Sequence, residues 1–393
     1  MLGVPTDMVT MRIFVPFVVA LSLSMTALSE PEPRVSRPHV ELVSVPDAGI
    51  QPQTAIDGDG TIHLLYFKGE PGGGDLFYTS QKVGEKLFST PIRVNTESAT
   101  AIATGSVRGG QLALGRGWIH VAWNGARPIE SDGGKRTPMW YSRLPRGGTE
   151  FEAQRAVGSR TKNLDGGGAV AADPNGRVYV VWHAAGDAEG EANRRLYVAT
   201  SADDGARFES EQSVAVDGGA CGCCGIEAMA DASGRLQILY RAAGAGIHRD
   251  AMWLTVRSKG ASPAVRLQPW ELAACPMTTF AMAAAGDGIV AAWETQQQIY
   301  TATLDPARGL VSTVGAMTGA GIRKHPSIAI NRAGDRLVAW TEDTAWARGG
   351  RAAWELRDRS GATLASAANA GSVPVWGLVA TVARPDGSFV ILH

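Results

Sequence analysis

A short strand of alternating apolar residues, opened by a glycine or aspartate turn and usually closed by an aromatic, recurs along this chain. Its copies are GTIHLLY ending at Tyr66, GWIHVAW at Trp123, GRVYVVW at Trp182, GRLQILY at Tyr240, DGIVAAW at Trp293, GDRLVAW at Trp340 and GSFVILH at His393. The six aromatic ends are spaced 57, 59, 58, 53 and 47 residues apart, and His393 follows 53 residues later, so there are seven copies. Most copies are preceded by a second short strand and a turn, as in TAIDGDG, AVAADPNG, AMADASG and AINRAGD. A third strand follows the aromatic, as in DLFYTS, PMWYSR, RRLYVAT and DAMWLTV, and a fourth usually completes the unit. Period-two alternation between Gly, Pro, Asn and Asp turns marks strands rather than helices.

Four short antiparallel strands in each unit predict an all-β chain folded as a β-propeller, in which every sheet buries both faces against its neighbours around an axis. The large aromatic at the end of the second strand fills the space between blades. Seven blades are expected; six, with one repeat in another role, is the alternative. The last copy stops after two strands, while HVELVSV at 39–45 stands alone near the other end. Joining these segments in one blade closes the ring and removes exposed sheet edges.

Composition narrows the picture. Of 393 residues, 45 % are hydrophobic and 19 % charged, which excludes a disordered chain, and 48 glycines with 20 prolines fit the many turns. With 37 Lys and Arg against 38 Asp and Glu the net charge is −1, so neither nucleic acid nor a polybasic membrane contact is expected. Arg12, the apolar run IFVPFVVALSLSM and the small-residue exit around Ala27 and Ser29 have the layout of a secretory signal. Residues 1–29 are therefore expected to be a signal peptide, with Met11 the better start, and residues 30–393 a single propeller domain. The protein is expected to be secreted or periplasmic. A monomer is expected, and no membrane span, because no other run reaches the roughly 18 apolar residues required.

Ser201, Asp203, Gly205 and Phe208 in SADDGARF fit the S-x-D-x-G-x-x-F/W pattern of the Asp-box hairpin. Degenerate echoes lie at Ser80 to Phe88 and Ser142 to Phe151. Together with the segments RGGQLALG, CGCCG, IHRDAMW, ACPM and RKHP, the chain resembles bacterial exported sialidase-like propellers with BNR (Asp-box) repeats. Asp-box residues tighten a turn and carry no catalytic meaning.

Counting back from each turn glycine locates the unusual residues. Gln51, Arg108 and His325 lie nine positions before Gly60, Gly117 and Gly334; Asp165, Cys223, Cys275, Arg323 and Trp376 lie eleven before theirs, and Cys224 ten. All fall in connections that enter an innermost strand, so they are expected to converge on one mouth of the channel. Loops between second and third strands open on the same face and add His183, Arg241, Arg249 and Asp250. Arg108, Arg241, Arg249 and Arg323 offer two-pronged donors for a carboxylate, sulfate or phosphate, with His183, His325 and Trp376 beside them. The alternative role for these arginines is structural, with Arg249 and Asp250 pairing and the others holding loop carbonyls. The family resemblance implies three arginines on a substrate carboxylate, an acid/base aspartate at Asp165 or Asp250, and Glu227 assisting a tyrosine nucleophile. No tyrosine falls at the mouth by this counting, and the family's Arg-Ile-Pro segment is absent.

Cys221, Cys223 and Cys224 share one connection and Cys275 lies in the next. For an exported chain the expected outcome is disulfides, with a soft-metal centre or a redox role as alternatives. No other cofactor is expected. The functional expectation is recognition of a small anionic, glycan-related ligand at the mouth; the alternatives are an exo-α-sialidase-like glycoside hydrolase and a cysteine-based metal or redox propeller.

Overall fold

The computed structural model describes residues 1–3 and 39–393, apart from 131–133, 163, 216–217 and 258–259. The expected signal peptide lies almost entirely outside these residues. Among the described residues no helix is long and apolar enough to cross a membrane.

Seven sheets follow one another along the chain. Blades 1 to 6 occupy 50–93, 111–157, 169–215, 227–268, 280–316 and 323–373, each in simple up-and-down order. In blades 4 and 5 the fourth strand is broken into two short pieces that both pair with the third. The repeat aromatics Tyr66, Trp123, Trp182, Tyr240, Trp293 and Trp340 are all buried. They sit in six of seven apolar seams, each seam shared by two consecutive blades: one joins Leu65 and Phe67 of blade 1 to Val121 and Trp123 of blade 2, and another joins Tyr66 of blade 1 to Val390 of blade 7. The remaining seams join blades 2 to 7 in chain order. Burial of both faces of each sheet explains why second strands such as Val178–Ala184 are buried at every residue.

The turn between first and second strands is built the same way in several blades. Asp57, Asp173 and Asp231 each accept two backbone N–H groups within the turn, and the glycine that follows, as at Gly60, Gly176 and Gly234, adopts φ between 74 and 89°. That left-handed conformation favours glycine and explains its fixed place in the repeat. The SADDGARF hairpin closes similarly: Ser201 Oγ donates to Asp203, whose carboxylate accepts the Arg207 N–H, and Phe208 meets Tyr141 edge-on.

Blade 7 departs from expectation in one respect. Ala380–Ala383 and Phe389–Leu392 pair antiparallel, but the closing strand Val40–Val43 runs parallel to Phe389–Leu392, so this blade has three strands. The cause is the short connection. Only residues 44–49 separate Val43 from the inner strand of blade 1 at Ile50, so the closing strand must deliver the chain at the end where inner strands begin, which is also where second strands finish. His393 occupies the aromatic position of this blade, its backbone bonded to Val43 and Val45 and its Nδ1 at 3.0 Å from the Ser372 carbonyl.

Deleting residues 39–45 is expected to leave both edges of blade 7 unpaired and to lower the melting temperature by more than about 10 °C. Differential scanning calorimetry checks this, and an unchanged transition would show that the ring does not depend on that closure.

Candidate functional site

The inter-blade connections do converge. Gln51, Ser106, Glu227, Thr279, His325, Ser327 and Thr381, drawn from six blades, line a central channel enclosing about 120 Å³. That volume holds only a few waters, at roughly 30 Å³ each. Three residues nine positions before a turn glycine or its equivalent, Gln51, Met277 and His325, have φ of 54, 50 and 52°, and two others at the rim, Ser106 and Trp376, have 60 and 63°. Left-handed backbone at five side-chain-bearing residues costs of order 1 kcal/mol each and persists because the packed blades impose it. Gln51 shows the return: its amide donates to the carbonyls of Ala103 and Trp376, tying blade 1 to the connections on either side.

Above the channel, and sharing Ser106 and His325 with it, a wider pocket of about 330 Å³ opens at the mouth. Cys275, Met277, Lys324, Trp346, Arg348 and Trp376 are among the residues around it. Trp346 is 59 % exposed and packs edge-to-face on Trp376, with ring centroids 4.8 Å apart. Lys324 donates to the Pro276 carbonyl at 2.7 Å and stands 3.5 Å from Glu294, while Arg348 uses its Nε on the Asp343 carbonyl and is otherwise exposed. Among the described residues, no acidic side chain lines this pocket.

A second feature lies under the connection into blade 4. The sulfurs of Cys221, Cys223 and Cys224 lie within 4.8 Å of one another, with Cys221 3.5 Å from Cys223 and 3.2 Å from Cys224. The four cysteines stand as free thiols, so the expected disulfides are not shown: three sulfurs belong to one tight turn, and Cys275 lies near Cys223 on the next connection. The turn is held by its backbone, with Cys221 N–H on the Arg241 carbonyl, Gly222 N–H on Glu191 and Gly225 N–H on the Thr278 carbonyl. Gly166 packs so closely beneath it that a Cβ there would stand 2.6 Å from His183 Nε2. Burial pushes the Cys224 thiol up, but hydrogen bonds from Cys221 and Cys223 and the nearby Arg241 guanidinium outweigh it and hold Cys224 well below the ordinary thiol value.

The arginines expected at the mouth are already engaged. Arg241 is buried, with the Glu294 and Arg249 carbonyls and the Thr278 and Thr295 hydroxyls as its acceptors. Arg323 is buried on Trp340, next to Glu342 and the Met317 carbonyl. Arg249 pairs with Glu191 at 2.7 Å rather than with Asp250, which instead caps the Trp270 N–H and faces Arg266. Arg108 pairs with Asp165 across two neighbouring connections. His183 is buried: Arg194 donates to its Nδ1, leaving Nε2 to donate to the Cys224 carbonyl, so the ring is neutral, and burial lowers its pKa to about 4. The three candidate carboxylates occupy separate settings, Asp165 at the rim, Glu227 in the channel wall and Asp250 in a loop turn. Six of the seven tyrosines are buried and none lines the channel or the mouth pocket, so the nucleophile of a sialidase-like hydrolase is not positioned there. Residues that the sequence did not single out are Trp346, Lys324 and Arg348 at the pocket and Glu191, Arg194 and Thr278 around the thiols. A tryptophan in the glycine-rich loop TEDTAWARGG was the available signal for the first.

Glu227 is enclosed by protein and meets only the narrow channel, and burial raises its pKa to about 8. Its folded value therefore exceeds the unfolded one near 4.5, so its contribution is fully present at low pH and is lost as pH rises toward 8. The buried histidines His120, His183 and His325, with pKa values lowered mainly by burial, act in the opposite sense below about 6.5. The informative quantity is thus the difference between parent and variant. Glu227→Gln should gain stability relative to the parent as pH rises from 5 to 8; melting curves that run parallel over that range would contradict the assignment.

No protein-family profile and no curated protein matches this sequence. Solved structures do match in fold. The BP39L lectin from Burkholderia pseudomallei superposes with a TM-score of 0.62 at 11 % identity, covering 87 % of this chain and 95 % of that one. A protein of unknown function from Dyadobacter fermentans gives 0.52 at 14 % identity over 75 % and 91 %, and an Aleuria aurantia lectin mutant in complex with Fucalpha1-6GlcNAc gives 0.50 at 12 % over 83 % and 96 %. At these identities the likeness is one of fold, and the chain is a seven-bladed β-propeller.

Proposed function

We propose that this protein is an exported β-propeller that binds a small anionic saccharide at one mouth of its ring. The observation that carries the reading is Trp346, a largely exposed indole braced edge-on by Trp376 over a pocket of about 330 Å³. An exposed, braced aromatic gives the C–H face of a sugar ring a rigid surface of high contact area at small entropic cost. The pocket volume falls within the range of small-ligand sites, about 300 to 1,000 Å³. Lys324 already faces Glu294, so Arg348 supplies the positive charge, with no acidic side chain among the described lining residues, which favours a carboxylated or sulfated sugar. Met277 and Gln297 complete the wall, one as a pliable apolar surface and the other as a hydrogen-bonding group. Export is supported by the secretory layout of the N-terminal segment.

Trp346→Ala removes an exposed side chain and should leave the fold intact. Titration calorimetry against acidic saccharides chosen from a glycan array should show affinity reduced about tenfold, ~1.4 kcal/mol. Arg348→Ala should weaken acidic sugars and leave their neutral counterparts unchanged. Retention of array binding in the Trp346 variant, or failure of the parent to bind any saccharide, would sink the reading.

A further inference from the structure

The thiol cluster lies outside the set of contacts that the saccharide reading needs, and backbone hydrogen bonds already hold its loop. We propose that Cys221, Cys223 and Cys224 form a thiolate centre for one soft d10 metal ion, Cu(I) or Zn(II), with Cys275 of the next connection as its fourth donor. The three sulfurs lie within 4.8 Å of one another, and Cys275 stands near Cys223 on the next connection. A metal–sulfur bond of about 2.3 Å spaces ligating sulfurs roughly 3.8 to 4.0 Å apart, so the 3.2 and 3.5 Å pairs need open by only about half an ångström.

The surroundings have the charge such a centre requires. Four thiolates with Zn(II) carry a net charge of −2, and with Cu(I) −3. Arg194, Arg241 and Arg249 are buried around the loop, and each interacts electrostatically with at least two of the three sulfurs. Arg241 hydrogen-bonds only neutral groups, and the charged or ionisable groups it faces are Cys224, Cys221, Glu294 and Asp250. Arg249 is 4 % exposed, and its Nε and Nη1 are buried without a hydrogen-bond acceptor. Arg249 already pairs with Glu191, and its two unmatched buried donors would gain from further anionic charge close by. Thr278 Oγ1 lies 3.5 Å from the Cys224 sulfur, as a second hydrogen-bonding group on the cluster. Soft thiolates select Cu(I) and Zn(II) over hard cations. As each metal–sulfur bond forms, the thiol loses its proton to water, so loading four thiols releases up to four protons.

The test uses the full chain, reduced and kept anaerobic, offered Zn(II) chloride or Cu(I) held by bicinchoninate in separate titrations. One equivalent of at least one ion is expected to bind with release of protons and to shield the cysteines from iodoacetamide. Cys223→Ser should weaken binding at least about 100-fold, and Cys275→Ser less. Saccharide binding by the metal-free chain should be retained, so the two readings fail separately. If Cys223→Ser does not fold, protection of the parent thiols from alkylation still decides the matter. Neither ion binding at one equivalent, or binding unchanged in a folded Cys223 variant, would overturn the proposal. So would peptide mapping that finds a disulfide within 221–224 in a chain that binds neither ion after reduction.

Discussion

Face-to-face packing of consecutive blades is the constraint from which the rest of this structure follows. Each of the seven seams draws apolar side chains from two neighbouring sheets, and the repeat aromatics of blades 1 to 6 are each buried against the preceding blade, Tyr66 of blade 1 against blade 7. Because such an array is stable only when its ends are joined, the parallel strand Val40–Val43 matters more than its four residues suggest. A closed ring fixes the inner strands, and the inner strands fix the connections above them. Left-handed backbone at Gln51, Ser106, Met277, His325 and Trp376 is sustained by that rigidity.

The mouth separates two kinds of positive charge. Arg241, Arg249 and Arg323 are buried and carry the loops, whereas Arg348 stands exposed at the pocket rim. The first group shapes the floor and surrounds the thiols; the second faces solvent, where a charged ligand could replace water at little desolvation cost. Cys275 belongs to both regions, standing near Cys223 and lining the mouth pocket. An occupied metal centre would therefore lie at the pocket edge without entering its aromatic surface.

The repeat was readable because both of its signals are local. Period-two strands ending in an aromatic reflect burial on two faces, and the aspartate-to-glycine turns reflect a backbone that few residues accept. Distance from the turn glycine also points to Cys275, His325 and Trp376, which line one pocket. Side-chain direction was not readable in the same way. Arg241 and Arg323 find carbonyls several loops away, and nothing near them in sequence indicates which carbonyls those are. The inward-facing thiols depend on Glu191, Arg194 and Thr278 from blades 3 and 5, contacts that exist only once the ring has closed. The direction of the closing strand was likewise hidden, since HVELVSV pairs equally well either way and only the short link to Ile50 decides. Trp346 escaped notice because an aromatic in a loop carries no period.

The account's central claim is that the open face of the ring, above the channel, is where ligand is held. A crystal structure with a bound acidic saccharide tests it most directly. The expected result is a sugar ring stacked on Trp346 with its negative group toward Arg348. Sugar lodged instead in the outer grooves between blades, with the Trp346 pocket filled only by water, would contradict it.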